Sequence, residues 1–288
     1  MDLEIFEFES FKGTALTPNE SSNIINESLS TINCGRDKPD YINKFNNKIE
    51  IKFNNKIFEI DYDILKAHIN RRSIILIDQG YQEAEIRTQT NYYKLVPLEG
   101  SNFVTLEING IHMHRIKGIS PIDDAKRKTS VAGVKKGTRV LEIGTGLGYT
   151  AISSLKLGAR EVVTIEMDEN VLWLAERNPW SRELNSEKIK IVLGNAIDII
   201  KNFYNEFDII IHDPPRFTSS TSMLYSKEFY KDLLSVLKQK GILFHYTGEP
   251  CRVKGKSFPS RISSRLKSVG FRILRYDDIA MGIKAKKE

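Results

Sequence analysis

The chain has 288 residues, 40% of them hydrophobic, two cysteines and a formal net charge of +6. That supports a buried core and either two small domains or one domain with an extension. It holds no run of about 18 apolar residues, which argues against a membrane-spanning helix. The two cysteines, Cys34 and Cys251, lie far apart and fit a reduced, cytoplasmic protein rather than a disulfide scaffold.

The opening MDLEIFEFES lacks the basic-then-apolar order of a secretory leader. Residues 1–19 supply one expected strand, LEIFEFESF. Residues 20–48 are polar and rich in Asn and Ser, and read as a loop or linker. IEIKF, the turn NNK and IFEIDY form an expected hairpin. DYDILKAHINRR reads as a short helix and SIILIDQG as an apolar run. EAEIRTQTNYYKLVPL and NFVTLEINGIHMHRI alternate as strands do, with turns at Glu99-Gly100 and Asn109-Gly110. Residues 1–118 therefore read as a small, mostly β domain.

Residues 119–138 bridge to the second part, with a helix starting near Pro121 and Asp123 and Asp124 in its first turn. Beyond 139 strands and helices alternate, which predicts a parallel, doubly wound sheet. FRILRYDD and IAMGIKAKK follow each other so closely that they must pair antiparallel. Residues 119–288 form the second domain. Charge divides along the same line. Residues 1–118 carry 14 Lys/Arg against 17 Asp/Glu, so the basic excess lies in the second part. That fits a polyanion such as RNA, or simply a solvated, lysine-rich surface.

The stretch RVLEIGTGLG runs from a strand into glycines at alternate positions, Gly144, Gly146 and Gly148, and then into a helix. Glycines permit positive φ and close approach of the backbone to a ligand. The spacing is GxGxG, not the GxGxxG of dinucleotide enzymes, and favours a nucleoside without pyrophosphate. Glu166 ends the next strand, 18 positions after Gly148, where an acid accepts hydrogen bonds from ribose hydroxyls. Asn195 and Ala196 end the third strand, within reach of an adenine edge. The fourth strand ends in Asp213-Pro214-Pro215-Arg216-Phe217, in the crevice where such sheets bind ligands. No cluster has zinc-ligand spacing, and His112 and His114 read as ordinary strand or loop residues. His212 and His245 read as core, and Trp180 as packing. Tyr225, Phe229 and Tyr230 line either the substrate mouth or the core.

EIGTGLG, the acid at 166 and DPPRF, in this order, resemble a class I S-adenosylmethionine-dependent methyltransferase over 139–288. HRIKG through DPPRF and LYSKEFY to FHYTG also resembles an archaeal group of predicted methyltransferases. The resemblance implies a Rossmann-like, seven-stranded sheet and S-adenosyl-L-methionine as cofactor. It places Glu142, Gly144, Gly146 and Gly148 around the methionine, Glu166 on the ribose, and Asn195 with Ala196 near adenine.

DPPRF resembles the (D/N)PP(Y/F) motif of enzymes that methylate exocyclic amino groups of nucleobases. That implies roles for Asp213 and Pro214 in orienting the nitrogen. Arg216 stands where the base-clamping aromatic is expected and Phe217 comes next. Arg216 can stack on a base or pair with phosphate.

The leading expectation is methylation of a nucleobase, at an amino nitrogen, in RNA, with no metal and no membrane; no oligomeric state is assigned. Lys126, Arg127 and Lys128 with Arg252, Lys254, Lys256, Arg261 and Arg265 form either a phosphate track or a solvated face. Cys251 reads as incidental rather than nucleophilic. Two alternatives stand beside this. GNAIDII and LYSKEFYKDLLSVLKQKGIL resemble aminopropyltransferases of the spermidine-synthase type, which use decarboxylated S-adenosylmethionine. Their Gly-Gly-Gly-Asp pattern is lacking here, and Arg216 would repel a polyamine. A non-catalytic RNA-binding protein is the third reading.

Overall fold

In the computed structural model, which describes residues 3–27, 31–248 and 258–288, the chain divides into two units. One comprises residues 1–7, 122–169 and 186–288; the other comprises 8–121 and 170–185.

The first unit is built on one large, mostly parallel sheet. Its strands are β1 (Ile5–Phe6), β2 (Arg139–Ile143), β3 (Glu161–Glu166), β4 (Ile189–Leu193), β5 (Phe207–His212), β6 (Leu237–Tyr246), β7 (Phe271–Asp277) and β8 (Gly282–Lys287). Their order is β1-β4-β3-β2-β5-β6-β8-β7. β2 to β6 run parallel, as their near-continuous Val, Ile and Leu content predicts for strands covered on both faces. β7 and β8 pair antiparallel, with β8 against β6.

The sheet has eight strands rather than the expected seven. The opening strand is only Ile5–Phe6, and it adds antiparallel to the outer strand β4, Ile5 facing Val192.

Along residues 121–268 the helices are α1 (Pro121–Ala132), α2 (Tyr149–Lys156), α3 (Glu169–Arg177), α4 (Ala196–Ile199), α5 (Lys227–Val236) and α6 (Phe258–Ser268), of which α3 lies almost wholly in the other unit. Leu141, Ile143, Val163, Ile165, Ile210 and Leu243 from the sheet pack with Phe229, Leu233, Ile262 and Leu266 from α5 and α6. Because β2 to β6 are parallel, the loops after Ile143, Glu166, Leu193, His212 and Tyr246 all open at one edge of the sheet.

The second unit is mostly β. Thr14–Leu16, Ile75–Ile77 and Tyr81–Glu83 form one small sheet, and Tyr41–Phe45, Lys48–Phe53 and Lys56–Asp61 a second. Glu85–Arg87, Tyr92–Pro97, Val104–Ile108 and Ile111–His112 form a third. Leu16, Ile24, Ile49, Ile51, Phe58, Leu65 and Ile77 pack into its core.

The stretch 20–48, expected to be a loop, contains a helix and a strand. Pro18–Ile25 is helical because Thr17 and Glu20 make a reciprocal capping box and Pro18 pre-sets the first turn. Tyr41–Phe45 pairs with Lys48–Phe53 through Asn46-Asn47, both at positive φ, and Asn54-Asn55 makes the next hairpin turn the same way.

Among the described residues, no helix is long and apolar enough to cross a membrane. No group of His, Cys, Asp and Glu there could hold a metal ion.

Candidate functional site at the strand ends

β2 delivers the chain into the glycine turn. Gly144, Gly146 and Gly148 all have positive φ, at 91°, 53° and 74°, and Gly148 caps α2. A Cβ on Gly144 would lie 3.2 Å from the Asp213 carbonyl oxygen, so the turn also needs glycine for close approach. The Gly144 N–H donates to the Ile165 carbonyl at 3.0 Å and ties the turn to β3.

Glu142 lies buried beneath this turn. Its carboxylate accepts a hydrogen bond from Thr164 Oγ1 at 2.8 Å. Thr164 has one hydroxyl proton and spends it on Glu142, so Thr145 Oγ1 donates to Thr164 at 2.8 Å. Burial pushes the Glu142 pKa up to about 8, only partly offset by the Thr164 bond. Near neutral pH the group is largely protonated and serves to join β2, β3 and the turn.

Glu166 ends β3. One carboxylate oxygen accepts from Gly146 N–H at 3.0 Å; the other accepts from Met167 and Asp168 N–H at 2.9 and 3.1 Å. Burial raises its pKa against the pull of these three donors. Two carboxylate oxygens offer about four acceptor positions, which leaves room for one further donor.

Asn195 caps α4, its side-chain oxygen accepting from Ile197 N–H at 3.0 Å. Only its amide N–H groups can therefore read a ligand. Ala196 is buried in the core cluster that also holds Ile199.

Asp213 follows β5. Its Oδ2 accepts from Lys128 Nζ of α1 at 2.6 Å. Lys128 also pairs with Asp124 at 2.9 Å and lies 3.9 Å from the Tyr246 ring centroid. Burial opposes the lysine charge, but Asp213 and Asp124 outweigh it and hold the pKa above the ordinary lysine range.

Of the cations read as either a phosphate track or a solvated face, Lys128 belongs to neither, because it is buried. Lys126 pairs with Asp123 at 3.0 Å and Arg127 with Asp277 at 3.2 Å. Lys128 thus belongs to the site rather than to an exposed basic face. Its signal was the i,i+4 spacing from Asp124 on one helix.

After Asp213, Pro214 is buried while Pro215, Arg216 and Phe217 are exposed. Tyr225 Oη donates to the Pro215 carbonyl at 2.7 Å, and Thr221 Oγ1 to the Arg216 carbonyl at 2.7 Å. The Phe217 ring packs edge-on against Tyr225, centroids 5.3 Å apart, and stands 6.0 Å from Phe258.

Behind this loop His212 and His245 are fully buried, as expected, with ring centroids 4.5 Å apart. His212 Nε2 donates to the Leu224 carbonyl, and burial takes its pKa down to about 4. Tyr230 is likewise core, its hydroxyl donating to His245 Nε2 at 2.9 Å.

Arg265 donates to the Tyr225 carbonyl at 2.8 Å, and Arg261 is exposed. Cys251, Arg252, Lys254 and Lys256 lie outside the described residues. In the other unit Trp180 is packing, its Nε1–H shared between the carbonyls of Asn102 and Cys34.

The strand ends thus hold a glycine cradle, a carboxylate with acceptor capacity and a second carboxylate level with the cradle. The family model for the spermine/spermidine synthase domain matches residues 129–276, which contain all three. The uncharacterized protein MJ1233 of Methanocaldococcus jannaschii is 45% identical over 80% of this chain and 79% of its own length. A polyamine aminopropyltransferase of Thermoplasma acidophilum is 25% identical over 62% of each chain. A ribosomal RNA large subunit methyltransferase I of Aeromonas hydrophila is 27% identical over 44% of this chain and 34% of its own. Spermidine synthase from Thermotoga maritima superposes with a TM-score of 0.54 over 70% of each chain, at 21% identity, and shows the shared fold.

Proposed function

This chain belongs to the spermine/spermidine synthase domain family, and we propose from that premise that it transfers an aminopropyl group from decarboxylated S-adenosylmethionine to an amine nitrogen. The observation that carries this reading is the family match across 129–276, a segment that includes Asp213 level with the glycine turn. The resemblance of LYSKEFYKDLLSVLKQKGIL to the same enzymes supports it, as does the similarity to polyamine aminopropyltransferases.

The residues fit such a cofactor. Gly144, Gly146 and Gly148 hold the backbone in positive φ and admit a nucleoside close to it. Glu166 has capacity for a ribose hydroxyl beyond its three backbone donors. The Asn195 amide N–H groups lie free of the cap and suit an adenine acceptor. The bound cofactor would supply a carbon already activated by a positive sulfonium, so the protein's task is alignment.

In this reading Asp213 meets the acceptor. Lys128 and Asp124 hold Oδ2 in place, and Oδ1 accepts the acceptor N–H, orients its lone pair and takes the proton released on alkylation. Alignment of this kind is worth up to about 7–11 kcal/mol in favourable intramolecular cases. Calorimetric titration with decarboxylated and with intact S-adenosylmethionine tests the reading. Tighter binding of the decarboxylated form is expected, and at least tenfold tighter binding of the intact form would overturn it.

A second reading, methyl transfer to a nucleobase amino group in RNA, is favoured by Phe217. This half-exposed ring, backed edge-on by Tyr225, offers a flat face beside Asp213 for a planar acceptor. A preference for intact S-adenosylmethionine, with a methylated nucleoside found by mass spectrometry, would install it in place of the first.

A further inference from the structure

A transferase whose acceptor is a polyamine needs bare carboxylates where the acceptor's ammonium groups lie. Among the described residues Asp213, level with the turn, already faces an ammonium. Lys128 Nζ stands 2.6 Å from Asp213 Oδ2, is braced by Asp124 at 2.9 Å and lies over Tyr246 at 3.9 Å. Lys128 is buried and cannot swing out to solvent without exposing Asp124, which is itself 3% exposed. A polycationic acceptor would add several charges beside that resident cation, whereas an amine balanced by its own acidic group adds none.

Two of the described acids at this edge, Glu142 and Glu166, are already engaged. Glu142 is buried, bonded to Thr164 and largely neutral near pH 7. Glu166 accepts three backbone N–H bonds, and its remaining capacity goes to the ribose in the reading above. The glycine turn itself carries Thr145 and Leu147, not an acid.

Arg216 supplies the opposite charge. It is exposed, three residues past Asp213, and among the described residues it makes no ion pair. Three residues of chain span at most about 11 Å, which bounds the separation of the two backbones. Its backbone is fixed from both sides, by Tyr225 on the Pro215 carbonyl and Thr221 on the Arg216 carbonyl. The guanidinium is thus a fork of donors on an anchored loop, suited to a carboxylate or phosphate.

We infer that the acceptor is an amine that also bears an acidic group, with Asp213 holding its nitrogen and Arg216 its carboxylate or phosphate. The inference rests on the transferase reading above and replaces the polyamine within it.

The test is calorimetry on the full chain saturated with 5′-methylthioadenosine, titrated in turn with phosphoethanolamine, β-alanine and spermidine. At least one acidic amine is expected to bind about tenfold or more tightly than spermidine, with an affinity that falls as salt is raised. Phosphoethanolamine against β-alanine separates a phosphate from a carboxylate partner. Arg216→Glu, an exposed change that leaves the fold intact by circular dichroism, is expected to abolish that preference and admit spermidine. Stronger binding of spermidine by the unaltered protein, no binding of either acidic amine, or an order unchanged by Arg216→Glu would each overturn the inference. Repeating the titrations without nucleoside keeps the two claims apart. Loss of nucleoside binding speaks against the cofactor reading, whereas the dependence on Arg216 is scored in either series.

Discussion

Lys128 and Asp213, 85 positions apart, meet as a 2.6 Å ion pair at the carboxyl edge of the sheet. The pair couples α1 to the end of β5, and Asp124 on the same helix completes it. Removing the cation from a buried cluster leaves two carboxylates uncompensated. Lys128→Met is therefore expected to destabilise the protein by about 3 kcal/mol or more, seen as a lower midpoint in urea. The double variant with Asp124→Asn should recover part of that loss, since one stranded charge is then gone.

Glu142 sets a pH dependence of stability. Its folded pKa, about 8, lies above the ordinary value of 4.5, with burial as the main cause. Between those values the folded state binds a proton that the unfolded state has released. This group's contribution is therefore fully present below about pH 4.5 and is lost as pH rises toward 8. Glu142→Gln keeps an acceptor for Thr164 without a titrating proton. Thermal melts from pH 5 to 8 should fall more steeply for the unaltered protein than for this variant.

Gly144 is constrained twice, by a φ of 91° and by the Asp213 carbonyl 3.2 Å from any added Cβ. Gly144→Ala should lower stability by about 1 kcal/mol or more and weaken nucleoside binding at least about tenfold. Gly137, also at positive φ but with nothing near an added Cβ, is the control. There alanine should strain the fold without touching binding.

Tyr230 and His245 share a fully buried hydrogen bond of 2.9 Å. His245 Nδ1 donates to the Tyr246 carbonyl, so Nε2 needs a donor. Tyr230→Phe strands that acceptor and should cost about 1–3 kcal/mol in chemical denaturation. Tyr225→Phe, which removes a donor from the carbonyl of exposed Pro215, should cost less, because water can replace it.

Much of this edge could be read from residue order. The Val- and Ile-rich runs of β2, β3 and β5 announce covered parallel strands, and GTGLG announces positive φ at all three glycines. What escaped was decided by local chemistry or by tertiary context. Pro18–Ile25 is made of poor helix formers, and only Thr17 and Glu20, a capping box, marked it. The strand at Tyr41–Phe45 was hidden by its asparagines, which are turn residues here at Asn46 and Asn47.

Lys128 was hidden by a sound general rule, that lysines are rarely buried. Positions 124, 125, 128, 129 and 132 nevertheless form one buried stripe of α1, at helical spacing, with Asp and Lys within it. Asn195 shows the converse. It lies two residues past the strand, which ends at Leu193, and helix capping competes for its oxygen.

The first strand, Ile5–Phe6, covers the open edge of β4. A fragment beginning near residue 119 would keep the glycine turn, Glu166 and Asp213 but present the β4 backbone to solvent, a template for self-association. During folding, that edge is sealed by a pairing between Ile5 and Val192 that must close nearly two hundred residues of chain. The contact is therefore expected to form after the local pairings of the sheet. Removing Ile5–Phe6 is therefore expected to lower the solubility of the half that carries the glycine turn.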